Sequence, residues 1–174
     1  MLGSMSDHVD RVLAQWAEQC PDLDSSSMGV FGRIKRLARI VEAEQRAVFG
    51  AHDLDPAAFD VLATLRRSPA PHRLTPVELM RSAMVTSGAI TQRLDRLEER
   101  ELVVRTRRQE DGRSVHVSLT AAGRELIDRA LVDHVENQNR LLSGLTEEQR
   151  DQVAGDLRGL LESLGDTDRQ VRLG

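Results

Sequence analysis

The chemistry that this sequence could perform is concentrated in an arginine-rich stretch near its middle. Residues 61–118 carry 11 basic and 7 acidic side chains, whereas residues 1–60 carry 6 and 10 and residues 119–174 carry 7 and 11. The formal net charge of −4 is therefore divided into −4, +4 and −4 along the chain. A basic segment between two acidic ones is typical of a localised surface that binds a polyanion. Apart from Lys35, every basic residue is Arg, which can hold phosphate or guanine through two parallel hydrogen bonds.

A helix predicted over residues 86–100 has the pattern of one that reads the major groove of DNA. Its apolar stripe includes Leu94 and Leu97, and the polar side chains of its N-terminal half point away from that stripe. The candidate DNA-binding residues on this helix are Ser87, Gly88, Thr91, Gln92 and Arg96. Gln pairs with adenine edges, Arg with guanine or phosphate, and Gly lets the backbone approach closely. The alternative is an ordinary solvated helix face, which Asp95 and Glu99 favour for the C-terminal half.

More arginines lie on a predicted β-hairpin that follows this helix. Two short β-rich runs at 102–105 and 114–119 flank Asp111-Gly112, which is a hairpin-turn signal. The candidate DNA-binding residues on the hairpin are Arg107, Arg108 and Arg113, with Asp111 orienting Arg113 through a charge-assisted hydrogen bond. An Arg-rich tip suits a narrow minor groove, where the potential is most negative. The alternative is a charged turn without a partner.

Helical segments flank these two elements on both sides. Apolar spacing and capping signals predict helices over 7–20, 28–49, 55–67, 75–83, 86–100, 120–142 and 146–164. The short helix at 75–83 opens with a capping box, Thr75-Pro76-Val77-Glu78, and a tight turn separates it from the next helix. Such a pair is a helix-turn-helix, and the hairpin after it makes a winged helix-turn-helix. The predicted fold class is thus mainly α with a small β-wing.

Apolar stripes on the terminal helices need a partner, because one small domain offers little to cover them. An obligate homodimer is the economical solution. We expect residues 1–4 to be a leader outside the fold and residues 5–174 to form a single domain. Within that domain, 5–52 and 120–165 are the predicted dimerisation helices, and 55–119 is the predicted DNA-binding lobe.

The composition argues against several other classes of protein. No run approaches the roughly 18 apolar residues of a membrane span, so we expect a cytoplasmic protein without a membrane partner. The single Cys20 excludes an intrachain disulfide framework, and we expect it to be an ordinary free thiol. The five His residues form no i, i+4 pair, so no metal site is predicted. Without a nucleophile elbow, a phosphate loop or a carboxylate pair, we expect neither catalytic residues nor a cofactor.

The central motifs resemble the MarR family of bacterial transcription regulators. They read TSGAITQRLDRLE at 86–98, LVVR at 102–105, EDGR at 110–113 and VSLTAAG at 117–123. The resemblance covers about residues 8–164. It implies a homodimeric winged helix-turn-helix, usually a repressor that binds a palindromic operator and is released by a small anionic or phenolic ligand. The sequence departs from the family at Glu101, where Gly usually separates the recognition helix from the first wing strand.

Within the family, the sequence is similar to the urate-responsive group of the HucR and PecS type. Trp16, Asp60, Arg93 and Arg105 carry this narrower resemblance. It implies a pocket between the dimer body and the DNA-binding lobe, in which Trp16 and Arg93 hold the ligand and Asp60 senses its charge. An anion there would compete for Arg93 and Arg105. Ser68 stands where Asn is expected, which leaves a tricarboxylate or a phenolic acid as an alternative to urate.

Each of these four residues also has a simpler reading: Trp16 as packing in a dimer core, Asp60 as a solvated side chain, and the two arginines as phosphate contacts. Two functions of different class therefore stay open. One is a ligand-responsive DNA-binding repressor, and the other is a dimeric protein-interaction module that does not bind DNA. The Arg-rich wing favours the first, because a wing that docks on protein would need apolar anchors.

Overall fold

The computed structural model describes residues 6–82, 90–107 and 115–167. The elements within these ranges are α1 (His8–Gln19), α2 (Ser26–Gly50), α3 (Pro56–Arg67), α4 (Pro76–Ser82), α5 (Ile90–Glu99), β1 (Val103–Arg107), β2 (Val115–Leu119), α6 (Ala121–Leu141) and α7 (Glu147–Ser163). The prediction of a mainly α fold with a small two-stranded wing is confirmed. By its contacts the chain divides into two compact units, Met1–Arg46 and Ala47–Gly174.

The first unit is held together where α1 begins. The carboxylate of Asp7 caps α1 by accepting the backbone N–H groups of Val9 and Asp10. The hydrogen bond from Asp10 does most to lower the pKa of Asp7. From α2, the Arg33 guanidinium bridges Asp7 at 2.9 Å and Asp10 at 2.5 Å. Val9 is buried against Gly32, where a Cβ would lie 3.2 Å from a Val9 methyl carbon. The start of α1 is thus fixed on α2 by charge and by close packing.

The core of the second unit is built around α3. Val61, Leu62 and Leu65 of this helix are fully buried. Other elements add fully or almost fully buried side chains, namely Leu79, Leu94, Leu97, Val117 and Ile127. The apolar stripe predicted for the recognition helix therefore faces the core, as its spacing indicated.

Three helices of this unit are capped by the residues at which their predicted ranges begin. The Asp55 carboxylate accepts the Ala58 N–H at 2.6 Å, ahead of the N-terminal Pro of α3. The Thr120 hydroxyl accepts the Gly123 N–H at 3.0 Å and begins α6. At α7, Thr146 and Gln149 form a reciprocal capping box. Each cap satisfies a backbone N–H that has no partner within the helix.

The first turn of α6 lies directly against the connection between α5 and β1. The backbone N–H of Thr120 donates to the Leu102 carbonyl at 3.1 Å, and the Thr120 hydroxyl donates to the Glu101 carbonyl at 2.6 Å. A Cβ on Gly123 would overlap the Leu102 carbonyl oxygen and lie 2.8 Å from its carbonyl carbon. This joint gives the Leu-Thr-x-x-Gly motif a physical meaning, since only glycine allows two backbones to come so close.

Glu101 occupies the position after α5 where glycine is favoured. Its φ is 56°, in the left-handed region. The Leu102 N–H donates to the Leu97 carbonyl and the Glu101 N–H to the Glu98 carbonyl, both at 2.9 Å. This pair of bonds is a Schellman motif, which usually has Gly at the position of Glu101. The helix thus ends with the geometry that favours glycine, but with a side chain in a strained conformation.

Glu101→Gly is therefore expected to stabilise the protein. Relief of the left-handed strain is worth about 1–2 kcal/mol, of which part is lost to the greater freedom of Gly in the unfolded chain. We expect a net gain of about 0.5–1 kcal/mol in the free energy of unfolding, measured by urea denaturation. Glu99→Gly, inside the last turn of α5, is the control and should lower the free energy of unfolding. A loss of stability in Glu101→Gly would contradict the assignment of strain.

Candidate nucleic-acid interface and anion cleft

The candidate DNA-binding surface begins with α4, the first helix of the predicted helix-turn-helix. Its N-terminus is closed by the predicted capping box, in which Glu78 accepts the Thr75 N–H at 2.7 Å and donates its own N–H to the Thr75 hydroxyl at 3.2 Å. The backbone hydrogen bond from Thr75 holds the pKa of Glu78 below its usual value. Leu79 anchors α4 in the core at zero exposure. Ser87 and Gly88 lie outside the described residues.

The recognition helix α5 has one buried and one exposed side. Ile90 and Leu94 are buried, whereas Thr91, Gln92 and Arg96 are exposed. The three predicted groove-reading residues that the structure describes are therefore on the open side of the helix. Sequence-specific contacts to base edges require this arrangement.

The wing follows α5 as an antiparallel pair of strands. In β1, Arg105 pairs with Val117 and Arg107 pairs with Val115. Leu74 forms two backbone hydrogen bonds with Val117, at 2.8 and 3.1 Å, on the other edge of β2. Arg107 is exposed at the end of β1 that leads to the hairpin tip. Three further predicted contacts, Arg108, Asp111 and Arg113, lie outside the described residues.

Arg105 ties the wing to the recognition helix. Its Nη1 donates to Glu98 Oε2 at 2.9 Å, its Nη2 reaches Asp95 Oδ1 at 2.7 Å, and its backbone N–H donates to Glu98 Oε1 at 3.0 Å. Nη2 also lies 3.3 Å from the Thr91 carbonyl. We call Arg105, Asp95 and Glu98 the carboxylate fork. Through the carboxylate fork, one arginine of β1 is attached to two residues of α5 that are three positions apart.

Arg93 lines a separate cleft beside α5, which we call the Arg93 cleft. Its volume is about 320 Å³. Its lining residues are Asp53, Asp55, Ala58, Gln92, Arg93, Arg96, Leu97 and Arg100. The Arg100 guanidinium donates to the Asp53 carbonyl at 2.8 Å, and the Asp55 carboxylate is engaged by the Ala58 N–H. Three arginines and two aspartates thus line the cleft, which is large enough for a small planar or branched anion.

Three of the four predicted ligand residues belong to the second unit, where they lie in different surroundings. Arg93 lines the Arg93 cleft, and Arg105 belongs to the carboxylate fork. Asp60 is partly buried on α3, on the side of the helix opposite Ala58, and does not line this cleft. Trp16 lies in the first unit, on α1, and is 39% exposed. Their joint role in ligand binding stays a prediction.

Sequence reasoning missed two features of this region. One is Arg100, although Arg93, Arg96 and Arg100 are spaced three and four apart and a helical wheel would have placed them in one row. The other is the carboxylate fork, because Asp95 was interpreted only as solvated. No local pattern shows that Arg105, seven residues beyond Glu98, returns to the same flank of the helix. That contact depends on the direction in which β1 leaves α5.

Other kinds of site find no support in the described residues. No group of three or more His, Cys, Asp or Glu in residues 6–82, 90–107 and 115–167 is arranged to hold a metal ion. None of the helices in those ranges is both long and apolar enough to cross a membrane. Cys20 is an exposed free thiol. His134 packs against the stacked rings of Phe49 and Phe59, with ring centroids 5.2 and 5.0 Å away, and its desolvation lowers its pKa.

Comparison with known proteins gives a consistent assignment. A family model described as the MarR family matches residues 52–114. The HTH-type transcriptional regulator PecS of Dickeya dadantii is 37% identical over 142 residues, which are 82% of this chain and 86% of PecS. A mutant of MarR from E. coli complexed with operator DNA has a TM-score of 0.66 at 25% identity, covering 84% of this chain and 97% of that one.

A MarR family regulator from Streptomyces coelicolor in complex with DNA shares the fold, with a TM-score of 0.72 at 24% identity over 82% of this chain and 93% of that one. These relatives are transcriptional regulators and not enzymes, and the two solved structures share the fold described above. The chain belongs to the MarR family of transcriptional regulators.

Proposed function

We propose that this protein is a ligand-responsive repressor that binds a palindromic operator as a homodimer and is released by a small anion. The observation that carries the proposal is the open face of α5, where Thr91, Gln92 and Arg96 are exposed above a buried apolar stripe. The likeness to PecS and to operator-bound MarR supports it. A regulator of this kind works in the cytoplasm.

The proposed DNA contacts fall into two groups. On the recognition helix, Ser87, Gly88, Thr91, Gln92 and Arg96 enter the major groove. On the wing, Arg107, Arg108 and Arg113 contact the minor groove or the phosphates, and Asp111 orients Arg113. Phosphate contacts give affinity and salt dependence, whereas base contacts give sequence preference.

The homodimer is supported by the apolar side chains that α7 and its C-cap residue leave exposed. Val153 and Leu157 are each 44% exposed, Leu161 is 50% and Leu164 is 70%. At about 100° per residue these four lie on one stripe of the helix. A palindromic operator needs two recognition helices related by a two-fold axis, which a dimer through this stripe supplies.

Leu161→Asp is expected to convert the protein to a monomer, because the new charge would be buried without a partner in the dimer interface. We expect light scattering after size exclusion to give a mass near 19.4 kDa instead of twice that value. Gly155→Asp adds the same charge on the opposite side of α7, where nothing lies within 4 Å of the added Cβ, and should leave the dimer intact. A dimeric Leu161→Asp variant would contradict the interface.

The proposed effector site is built on the Arg93 cleft, together with Asp60, Arg105 and Trp16. Gln92 and Arg96 line this cleft and are also proposed DNA contacts. An anion bound there would therefore draw Arg96 away from DNA, which couples the two binding events. The parts of Trp16, Asp60 and Arg105 in this site rest on the resemblance to the urate-responsive group alone.

The same resemblance makes urate the first candidate ligand. A tricarboxylate or a phenolic acid is the alternative, since each presents a carboxylate to Arg. To act on Arg105, an anion would have to displace Asp95 or Glu98 from the carboxylate fork.

Fluorescence anisotropy tests both parts of the proposal. The purified protein is titrated onto labelled DNA from upstream of its own gene, with and without urate. We expect tight binding that weakens as salt is raised, and release by urate. Binding that is indifferent to urate, citrate and salicylate would leave a DNA-binding protein without the proposed effectors. Failure to bind both this DNA and duplexes selected from random sequence would overturn the function and favour a protein-docking role.

Gln92→Ala is the matching test of sequence recognition. The variant should lose discrimination between the operator and unrelated DNA, since a bidentate contact to a base is worth about 1–3 kcal/mol. Its salt dependence should stay that of the wild type, because the phosphate contacts are unchanged.

A further inference from the structure

The proposed DNA contacts do not explain the two carboxylates of the carboxylate fork. Asp95 and Glu98 put two negative charges on the recognition helix, next to side chains that approach a polyanion. We propose that Asp95 and Glu98 are positioning residues for DNA binding, which act through Arg105 to hold the wing at a fixed orientation to α5. This inference rests on the proposed DNA contacts of α5 and the wing.

The fork is built to fix an orientation and not merely to neutralise charge. Glu98 uses both carboxylate oxygens, one on the Arg105 guanidinium at 2.9 Å and one on the Arg105 backbone N–H at 3.0 Å. Asp95 holds the second guanidinium nitrogen at 2.7 Å. Side chain and backbone of one residue of β1 are thus both attached to α5. Rotation of the strand about the helix would break at least one of these bonds.

The position of the fork on α5 separates it from the proposed reading face. Thr91, Asp95 and Glu98 are spaced four and three apart and share one flank of the helix. With Gln92 and Arg96 on the open side, the fork lies between that side and the buried stripe. Two residues beyond Arg105 on β1, Arg107 is exposed and paired with Val115. Fixing Arg105 therefore fixes the direction in which β1 carries Arg107.

Simple electrostatics and the positioning role predict opposite changes in DNA affinity when one carboxylate is removed. Removal of a negative charge close to DNA should tighten binding, because repulsion of the phosphates falls. Removal of a fork member should weaken binding instead, because the wing loses its fixed orientation and its contacts must be ordered on binding. The sign of the change in DNA affinity therefore distinguishes simple repulsion from a positioning role.

The test compares Asp95→Asn and Glu98→Gln with the control Glu99→Gln by anisotropy on the same upstream duplex, or on one selected from random sequence. Glu99 is the next residue along and exposed, so its variant removes an equal charge without touching the fork. We expect each fork variant to bind DNA about tenfold more weakly than wild type, because each loses one charge-assisted hydrogen bond. Glu99→Gln should bind as tightly as wild type or more tightly.

A second measurement separates positioning from a loss of folded protein. Partial unfolding lowers the active fraction but leaves the slope of log affinity against log salt unchanged. Loss of wing contacts lowers that slope by about one for each phosphate no longer neutralised. Arg105→Lys, which can satisfy one carboxylate but not both, should fall between wild type and Arg105→Ala. Fork variants that bind as tightly as Glu99→Gln, or that weaken with an unchanged slope, would overturn the inference. A wild-type protein that binds no DNA would overturn the proposed function as well.

Discussion

Gly123→Ala is expected to lower the free energy of unfolding by about 3 kcal/mol, at the upper end of the range for overpacking. The added methyl group would overlap the Leu102 carbonyl oxygen and lie 3.2 Å from the Leu102 Cα, so the obstacle is backbone on both sides. Neither partner can rotate away as a side chain would. Either α6 moves outward or the connection between α5 and β1 is displaced, and both changes break the hydrogen bonds of Thr120 to this connection.

Urea denaturation followed by circular dichroism measures the effect. Gly155→Ala is the matched control, since it makes the same change in α7, where nothing lies within 4 Å of the added Cβ. In a helix interior, Gly→Ala should raise the free energy of unfolding by up to about 1 kcal/mol. Opposite signs for the two variants would assign the loss at Gly123 to the close approach and not to the residue type. A Gly123→Ala variant as stable as wild type would contradict the described joint.

This joint shows how far the sequence predicts the fold. Thr120 as a helix cap was predictable from its type and from the apolar pattern that follows it, because capping depends only on neighbours in the chain. The reason for Gly123 was not predictable in that way. Its constraint comes from Leu102, which is distant in sequence and meets it only when β2 has returned along β1. Interactions between neighbours in the chain therefore predict where the helices begin, whereas the contacts between helices depend on the topology of the wing.

The candidate site likewise contains some features that depend on local sequence and others that depend on contacts between distant elements. The buried and exposed sides of α5 followed from periodicity, so Gln92 and Arg96 were found. The carboxylate fork and the Arg93 cleft were not, since each combines α5 with a different element. The cleft takes Asp53 and Asp55 from the corner between α2 and α3, where Asp53 has a φ of 54°. A left-handed Asp in a connecting turn leaves no periodic signal in the sequence.

Arg93→Gln is expected to weaken binding of the effector about 30- to 160-fold, since a charge-assisted contact to a desolvated anion is worth about 2–3 kcal/mol. Arg93 is partly buried in the Arg93 cleft, so its guanidinium is less screened by water than an exposed one. Gln keeps hydrogen-bonding capacity and much of the volume, so the variant removes mainly the charge. The expected result is a protein that still binds its operator but needs far more urate to leave it.

The chain itself supplies the readout, because it contains one Trp and no Tyr. Intrinsic fluorescence therefore reports on Trp16 alone. Urate that binds beside Trp16 should quench the emission, with the same midpoint as release of DNA when both are recorded on one protein–DNA sample. In Arg93→Gln both midpoints should move together, whereas Arg158→Gln, on α7, removes an equal charge outside the DNA-binding lobe and should move neither. Quenching that persists at the wild-type midpoint in Arg93→Gln would place the ligand elsewhere. Release of DNA without any quenching would remove Trp16 from the site and retain Arg93, because the two readouts depend on different residues.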